Sequence, residues 1–193
     1  MISPYQNNDK TLWSQITAEL VGIHPLASEI KDVVLEAWDD IFSSTLGGYR
    51  IGRDIFPDPQ IIGFFLHELI ALKLEAKGNG QYRKGRQSNE KDVECDNNPD
   101  FSLEIKTSSN PSKIFANRSY AQPSVNGRKN KDGYYLAVNF DKIEPGTVPT
   151  VRMIRFGYLE HSDWIAQASA TGQQAHLASE TYNLKFVTLL DNR

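Results

Sequence analysis

Near Gly80 the chain changes its hydrophobic period, and that change limits the folds open to it. Before this point apolar residues recur every three or four positions. Leu12, Ile16, Leu20 and Ile23 form one such series, and Ile30, Val33, Val34, Ala37, Trp38 and Ile41 form a second. This is the spacing of a helix face. Pro25 disfavours helix at His24, so a break is expected between the two. Ser28 is the candidate N-cap of the second helix and Leu46-Gly47-Gly48 its end. A third helix is expected over 59–77, stopped by Gly78. Ile61, Ile62, Phe65, Leu66, Leu69, Ile70 and Leu74 take up most of its circumference, which places it deep in the protein. Beyond Gly80 the period is two. Residues 91–95 alternate, Asp96-Asn97-Asn98-Pro99 is turn chemistry, and 101–106 alternate again, as in a β-hairpin. Further strands are expected over 134–140, 148–158 and 184–190, with a short helix opening at Asp163-Trp164. Helices first and strands after, in 193 residues, predict one mixed α/β or α+β domain. Its parts are a helical segment (1–58), a core (59–165) and a C-terminal part (166–193).

Several function classes fall away. No stretch reaches the roughly 18–20 apolar residues that span a bilayer, so no membrane partner is expected. The N-terminus lacks a basic segment followed by an apolar one, so no secretory signal is expected. Cys95, the single cysteine, supplies neither a disulfide nor a cysteine-rich zinc site, and a cytoplasmic location is the expectation. Gly47-Gly48 and Gly78-x-Gly80 read as turns, not as a P-loop, so no nucleotide cofactor is expected. His24, His67, His161 and His176 show no metal-binding spacing and are assigned to packing or surface. The net charge is −3, yet two segments, 77–89 and 107–131, contain cations and no acid. Brought to one face, they would suit a phosphate backbone.

The chemistry concentrates in 92–106. A turn centred near Asn98 sets Asp92 opposite Glu104, with Cβ atoms roughly 4.5–5.5 Å apart. Lys106 follows on the same face, while Leu103 and Ile105 point to the other. Two carboxylates and an ammonium so placed suit metal-assisted phosphodiester hydrolysis. Asp92 and Glu104 would bind a hard cation, Mg²⁺ being the natural one, with the Ile105 carbonyl as a further ligand. Lys106 would orient or deprotonate the attacking water. Asp100 sits about 13 Å from Glu104 along the strand, so it is held in reserve as a turn residue.

Asp92 with Glu104-Ile105-Lys106 resembles the PD-(D/E)xK nuclease core. The wider text, including DIFPDPQIIGFFLHELIALKLE, FSLEIKTSSNPSKIFANRSYAQ and RFGYLEHSDW, is similar to type II restriction endonucleases of the ScaI-like family. The chain departs from the pattern in placing Pro99-Asp100 in the turn. The resemblance implies a restriction-endonuclease-like core, a central mixed β-sheet flanked by helices. It also implies Mg²⁺-dependent cleavage of double-stranded DNA at a short palindrome by a homodimer, one active site per strand. A glutamate from the helix before the hairpin joins the site in many relatives; Glu68 fits, with Glu75 second.

For DNA contacts, Lys113, Asn117, Arg118, Tyr120, Gln122, Asn126, Arg128 and Lys129 form a polar, basic segment, and Gln173 and Gln174 lie in a second polar loop. Arginine reads guanine, Asn and Gln read adenine, and lysines hold phosphates. Two rival readings are a repair or junction-resolving nuclease on the same core and a DNA-binding domain without catalysis.

Overall fold

The computed structural model describes residues 3–125, 129–169 and 171–193. Its elements run α1 (Trp13–Ile23), α2 (Ile30–Ser43), β1 (Thr45–Leu46), β2 (Tyr49–Arg50), α3 (Pro59–Lys77), β3 (Tyr82–Lys84), β4 (Val93–Cys95), β5 (Leu103–Ser108), β6 (Phe115–Asn117), β7 (Gly133–Phe140), β8 (Val151–Leu159), β9 (Trp164–Ala166), β10 (Gln174–Leu177), α4 (Ser179–Leu184) and β11 (Phe186–Asp191). Six strands form the main sheet in the order β11-β8-β7-β5-β4-β3. Only β5 and β7 run parallel in it, which makes the sheet mixed. Strands β6, β10 and β9 make a second, antiparallel sheet.

Side-chain alternation gives the main sheet two faces, and each has its own cover. Leu103 and Ile105 of β5, Leu136 and Val138 of β7, and Ile154 and Phe156 of β8 pack with Val33, Ala37, Ile62, Leu66 and Ile70 of the helices. Tyr135, Ala137 and Phe186 face the other way, onto Ile114, Trp164, Ala175 and Leu177. The mixed sheet flanked by helices is therefore as expected. The β-sheet cover on its second face has no counterpart in the sequence pattern, because its three short strands carry too few residues for a visible alternation.

Four local expectations need correction. Ser28 does not cap α2; turn bonds from Glu29 and Ile30 to the Leu26 carbonyl already wind the chain before the helix, and Glu29 is the cap. The helix ends at Ser43, not at Leu46, because Gly47 and Gly48, at φ of 58° and 90°, close a β1–β2 hairpin that draws Thr45 and Leu46 into strand. No helix opens at Asp163-Trp164. Glu160 and Asp163 cap a single 3-10 turn (His161–Asp163), and Trp164 begins β9. Helix α3 spans Pro59–Lys77 as expected but is not buried all round. Ile62, Leu66, Ile70 and Leu74 are inside, while Ile61, Phe64 and Leu72 are 49%, 60% and 50% exposed. One face lies on the sheet, and the flank that carries Phe64, His67 and Glu68 lines two clefts.

Candidate active site

The site forms where β4 parts from β5. The two strands share one pair, Val93 with Leu103, which is the register expected from the turn. One residue earlier the chain leaves the ladder. The Ile105 amide, without a backbone partner there, donates instead to Asp92 Oδ2 at 2.7 Å. That bond fixes Asp92 beside the strand that carries Glu104 and Lys106.

Glu104 is only 3% exposed, and a buried carboxylate needs donors. Lys106 Nζ supplies one at 2.6 Å on Oε1, and Lys129 Nζ lies 3.0 Å from Oε2. The Tyr120 hydroxyl donates to Oε1 as well. Burial raises the carboxyl pKa, but the two ammoniums outweigh it and hold the group down at about 2. Tyr120 is pushed well above the usual phenol range by burial and by the Glu104 charge, so it stays a donor. Lys106 also touches the Tyr120 hydroxyl at 3.2 Å and the Ile105 carbonyl at 3.3 Å.

Helix α3 brings two more groups. His67 Nδ1 lies 3.6 Å from Asp92 Oδ2, and desolvation lowers the imidazole pKa. Glu68 lines the same cleft as Asp92 and Lys129 and pairs with Lys84 of β3. Glu75, the second choice, has its carboxylate on the Lys84 amide at 2.9 Å, so it anchors β3 to the helix. Asp100 sits in the 3-10 turn Pro99–Phe101 and lines a different hollow, with Pro99 and Tyr158.

The ScaI restriction endonuclease family model matches residues 3–190. The chain is also 43% identical over 192 residues to the type II restriction enzyme ScaI of Streptomyces caespitosus, covering 97% of this chain and 84% of that protein. The chain belongs to the ScaI restriction endonuclease family. It is thus a site-specific deoxyribonuclease, a hydrolase whose substrate is DNA. No solved structure matches it.

In this member of the ScaI family the described residues of the polar segment are spread over several surfaces. Lys129 joins the carboxylates. Tyr120 is 8% exposed and gives its hydroxyl to Glu104, which ties it to the carboxylate cluster, while its ring also lines the groove that holds Asn117 and Gln174. Asn117 and Gln174 form a register pair of the small sheet and line a groove with Lys106 and His67. The Arg118 guanidinium holds the Ser169 and Gly172 carbonyls, and its amide donates to the Gln173 carbonyl at 2.7 Å. Lys113 lines a separate hollow with Arg155 and Tyr182. Gln122 follows the 3-10 turn Arg118–Ala121 and is exposed. Asn126 and Arg128 lie outside the described residues. His67, assigned from sequence to packing or surface, stands at the meeting of three clefts. The available signal was its place next to Glu68.

The donors present fit a hard divalent cation. Asp92 and Glu104 offer carboxylate oxygens, Ile105 offers a carbonyl, and a lysine ammonium already spans the carboxylates. Among the described residues no three His, Cys, Asp or Glu side chains converge as a ready ligand set. Such a site leaves part of the coordination shell to water and substrate, as Mg²⁺ prefers.

Proposed function

We propose that this chain is a single-domain, Mg²⁺-dependent type II restriction endonuclease of the PD-(D/E)xK class. It acts as a homodimer on a short palindrome in double-stranded DNA. The observation that carries this reading is the convergence of Asp92, Glu104 and Lys106 at the point where β4 leaves β5.

Asp92 and Glu104, with the Ile105 carbonyl, are the residues to hold the ion. Bound there, Mg²⁺ supplies charge neutralisation at the scissile phosphate and acidifies water. Lys106 reaches over the site from β5. Its ammonium, fixed by Glu104 and Tyr120, orients the attacking water and hydrogen-bonds the phosphate. Glu68 assists from α3, held by Lys84 at the cleft wall. His67, whose pKa desolvation lowers, accepts or donates one hydrogen bond beside Asp92. Asn117, Gln174 and Gln173 are candidates for base contact from the small sheet and its loop, with Gln122, Asn126 and Arg128 of the polar segment as further candidates. Lys113 and Arg118 are assigned to phosphate.

The test is digestion of unmethylated phage DNA with Mg²⁺, with EDTA, and with the Lys106→Ala protein. Discrete fragments that require both Mg²⁺ and Lys106 are expected, and sequencing their ends gives the site and stagger. Fragments of equal yield from Lys106→Ala would remove that residue from the chemistry. Sedimentation at micromolar protein should give twice the chain mass of 21.8 kDa.

A further inference from the structure

Asp92 at the cleft wall and the buried Glu104 carry like charges, and the chain sets a cation of its own against both. Lys129 Nζ lies 3.0 Å from Glu104 Oε2, 3.3 Å from Glu104 Oε1 and 3.8 Å from Asp92 Oδ1. Its side chain is 17% exposed, so solvent screens these contacts little. Asp92 is already held through Oδ2 by the Ile105 amide, which leaves Oδ1 turned to the ammonium. Lys106 does not share this place. It bonds Oε1 of Glu104, away from the Oε2 that Lys129 approaches most closely, and the Tyr120 hydroxyl, and among the described residues no ion pair joins it to Asp92.

Charge balance limits how a further cation can enter. Asp92 and Glu104 balance Lys106 and Lys129, so the cluster is neutral as it stands. A divalent ion held by both carboxylates needs oxygens at about 2.0–2.1 Å. An ion bridging Asp92 and Glu104 would lie in the space that the Lys129 ammonium spans, and two cations repel strongly at that range. Lysine has the means to yield, because its charge rides on a flexible four-carbon stem. The cleft beside it is lined by Lys84, Arg86 and Lys91 as well as by Glu68 and Glu90, and Lys84 is paired with Glu68, which leaves Arg86 as the cation there to meet an incoming phosphate.

We propose that Lys129 is a displaceable internal cation, holding the carboxylate pair together until a divalent ion takes its place. The displaced ammonium then turns to the cleft, where a DNA phosphate receives it. This inference rests on Asp92 and Glu104 being the ion-holding pair, and Lys129 acts on the reaction through them as a positioning residue.

The test reads binding and exposure rather than cleavage. Mn²⁺ binding to the full chain is followed by the electron paramagnetic resonance of the free ion, without DNA. Lys129→Gln should bind Mn²⁺ roughly tenfold tighter than wild type, within the range usual for coupling between two ligands. Lys106→Gln should show a smaller gain. Equal or weaker binding by Lys129→Gln overturns the proposal, as does an equal gain from Lys106→Gln. Wild type alone provides a second readout that needs no variant to fold. Saturating Mn²⁺ should speed acylation of the Lys129 amine by an amine-selective reagent severalfold, scored by mass spectrometry. Labelling that is unchanged or slowed would sink the idea. Glu104→Gln tests the foundation separately: it should abolish Mn²⁺ binding, and if it does not, the ion-holding pair itself is misassigned.

Discussion

His24 shows how one buried side chain ties stability to pH. It is 3% exposed and enclosed by Tyr82, Phe101, Tyr134 and Phe156. Its Nδ1 accepts from the Leu26 amide at 3.2 Å, so the ring proton sits on Nε2 and is donated to the Phe101 carbonyl at 3.0 Å. A second proton on Nδ1 would break the first bond and bury a charge. Burial accordingly lowers the pKa from 6.5 to about 4. Between those values the unfolded chain takes up a proton and the native chain does not, so stability is full above pH 6.5 and falls as the pH drops toward 4. The loss attributable to His24 is about 3 kcal/mol by the bottom of that window. Urea titrations at about pH 7 and about pH 4.5 should show this extra acid loss in wild type and not in His24→Gln. An equal loss in both proteins would clear His24 of the role.

Among the elements, α3 and β5 approach closely because of one glycine. A Cβ at Gly63 would stand 2.8 Å from Thr107 Oγ1. Gly63→Val should therefore lift the helix that carries His67 and Glu68 off the strand that carries Glu104 and Lys106. A cost of roughly 1–3 kcal/mol in stability is expected. Cleavage should fall more than the folded fraction does, measured by melting and digestion on one preparation. A stable variant with full activity would show that the spacing is not needed. This pairing also shows what a chain reveals before it folds. Helix α3 is legible from its apolar spacing and Gly78, and the meeting of Asp92 with Glu104 from turn chemistry plus alternation. Lys129 is not legible in that way. It comes from an aperiodic polar segment, and its contact with Glu104 spans 25 positions, beyond the reach of any local pattern. The strands β6, β9 and β10 are equally silent, since none exceeds four residues.

For the molecule as a whole, the two ends of the chain meet over the sheet. Thr17 in α1 donates its hydroxyl to the Leu184 carbonyl at 2.8 Å, and the Tyr5 hydroxyl reaches the Tyr158 carbonyl at 3.2 Å. Lys185, 2% exposed, pairs with Glu160 and Asp163 while its ammonium lies 4.0 Å from the Tyr5 ring and 4.7 Å from that of Trp13. Strand β11 then covers the edge of β8. Deleting residues 186–193 should abolish cooperative thermal unfolding, because it uncovers β8 and removes Phe186 from the second core. A truncated chain with a sharp transition near that of wild type would contradict this. The same closure bears on synthesis. A ribosome delivers α1 well before its partners around Leu184 and Lys185, which follow 167 positions later in the Thr17–Leu184 contact, so the N-terminal segment cannot complete its packing until they are made. Asp92 and Glu104 leave the tunnel well before the scaffold that steadies them. In this order of synthesis the charged site is made before the fold around it can close, so making the blade and closing it are separate events.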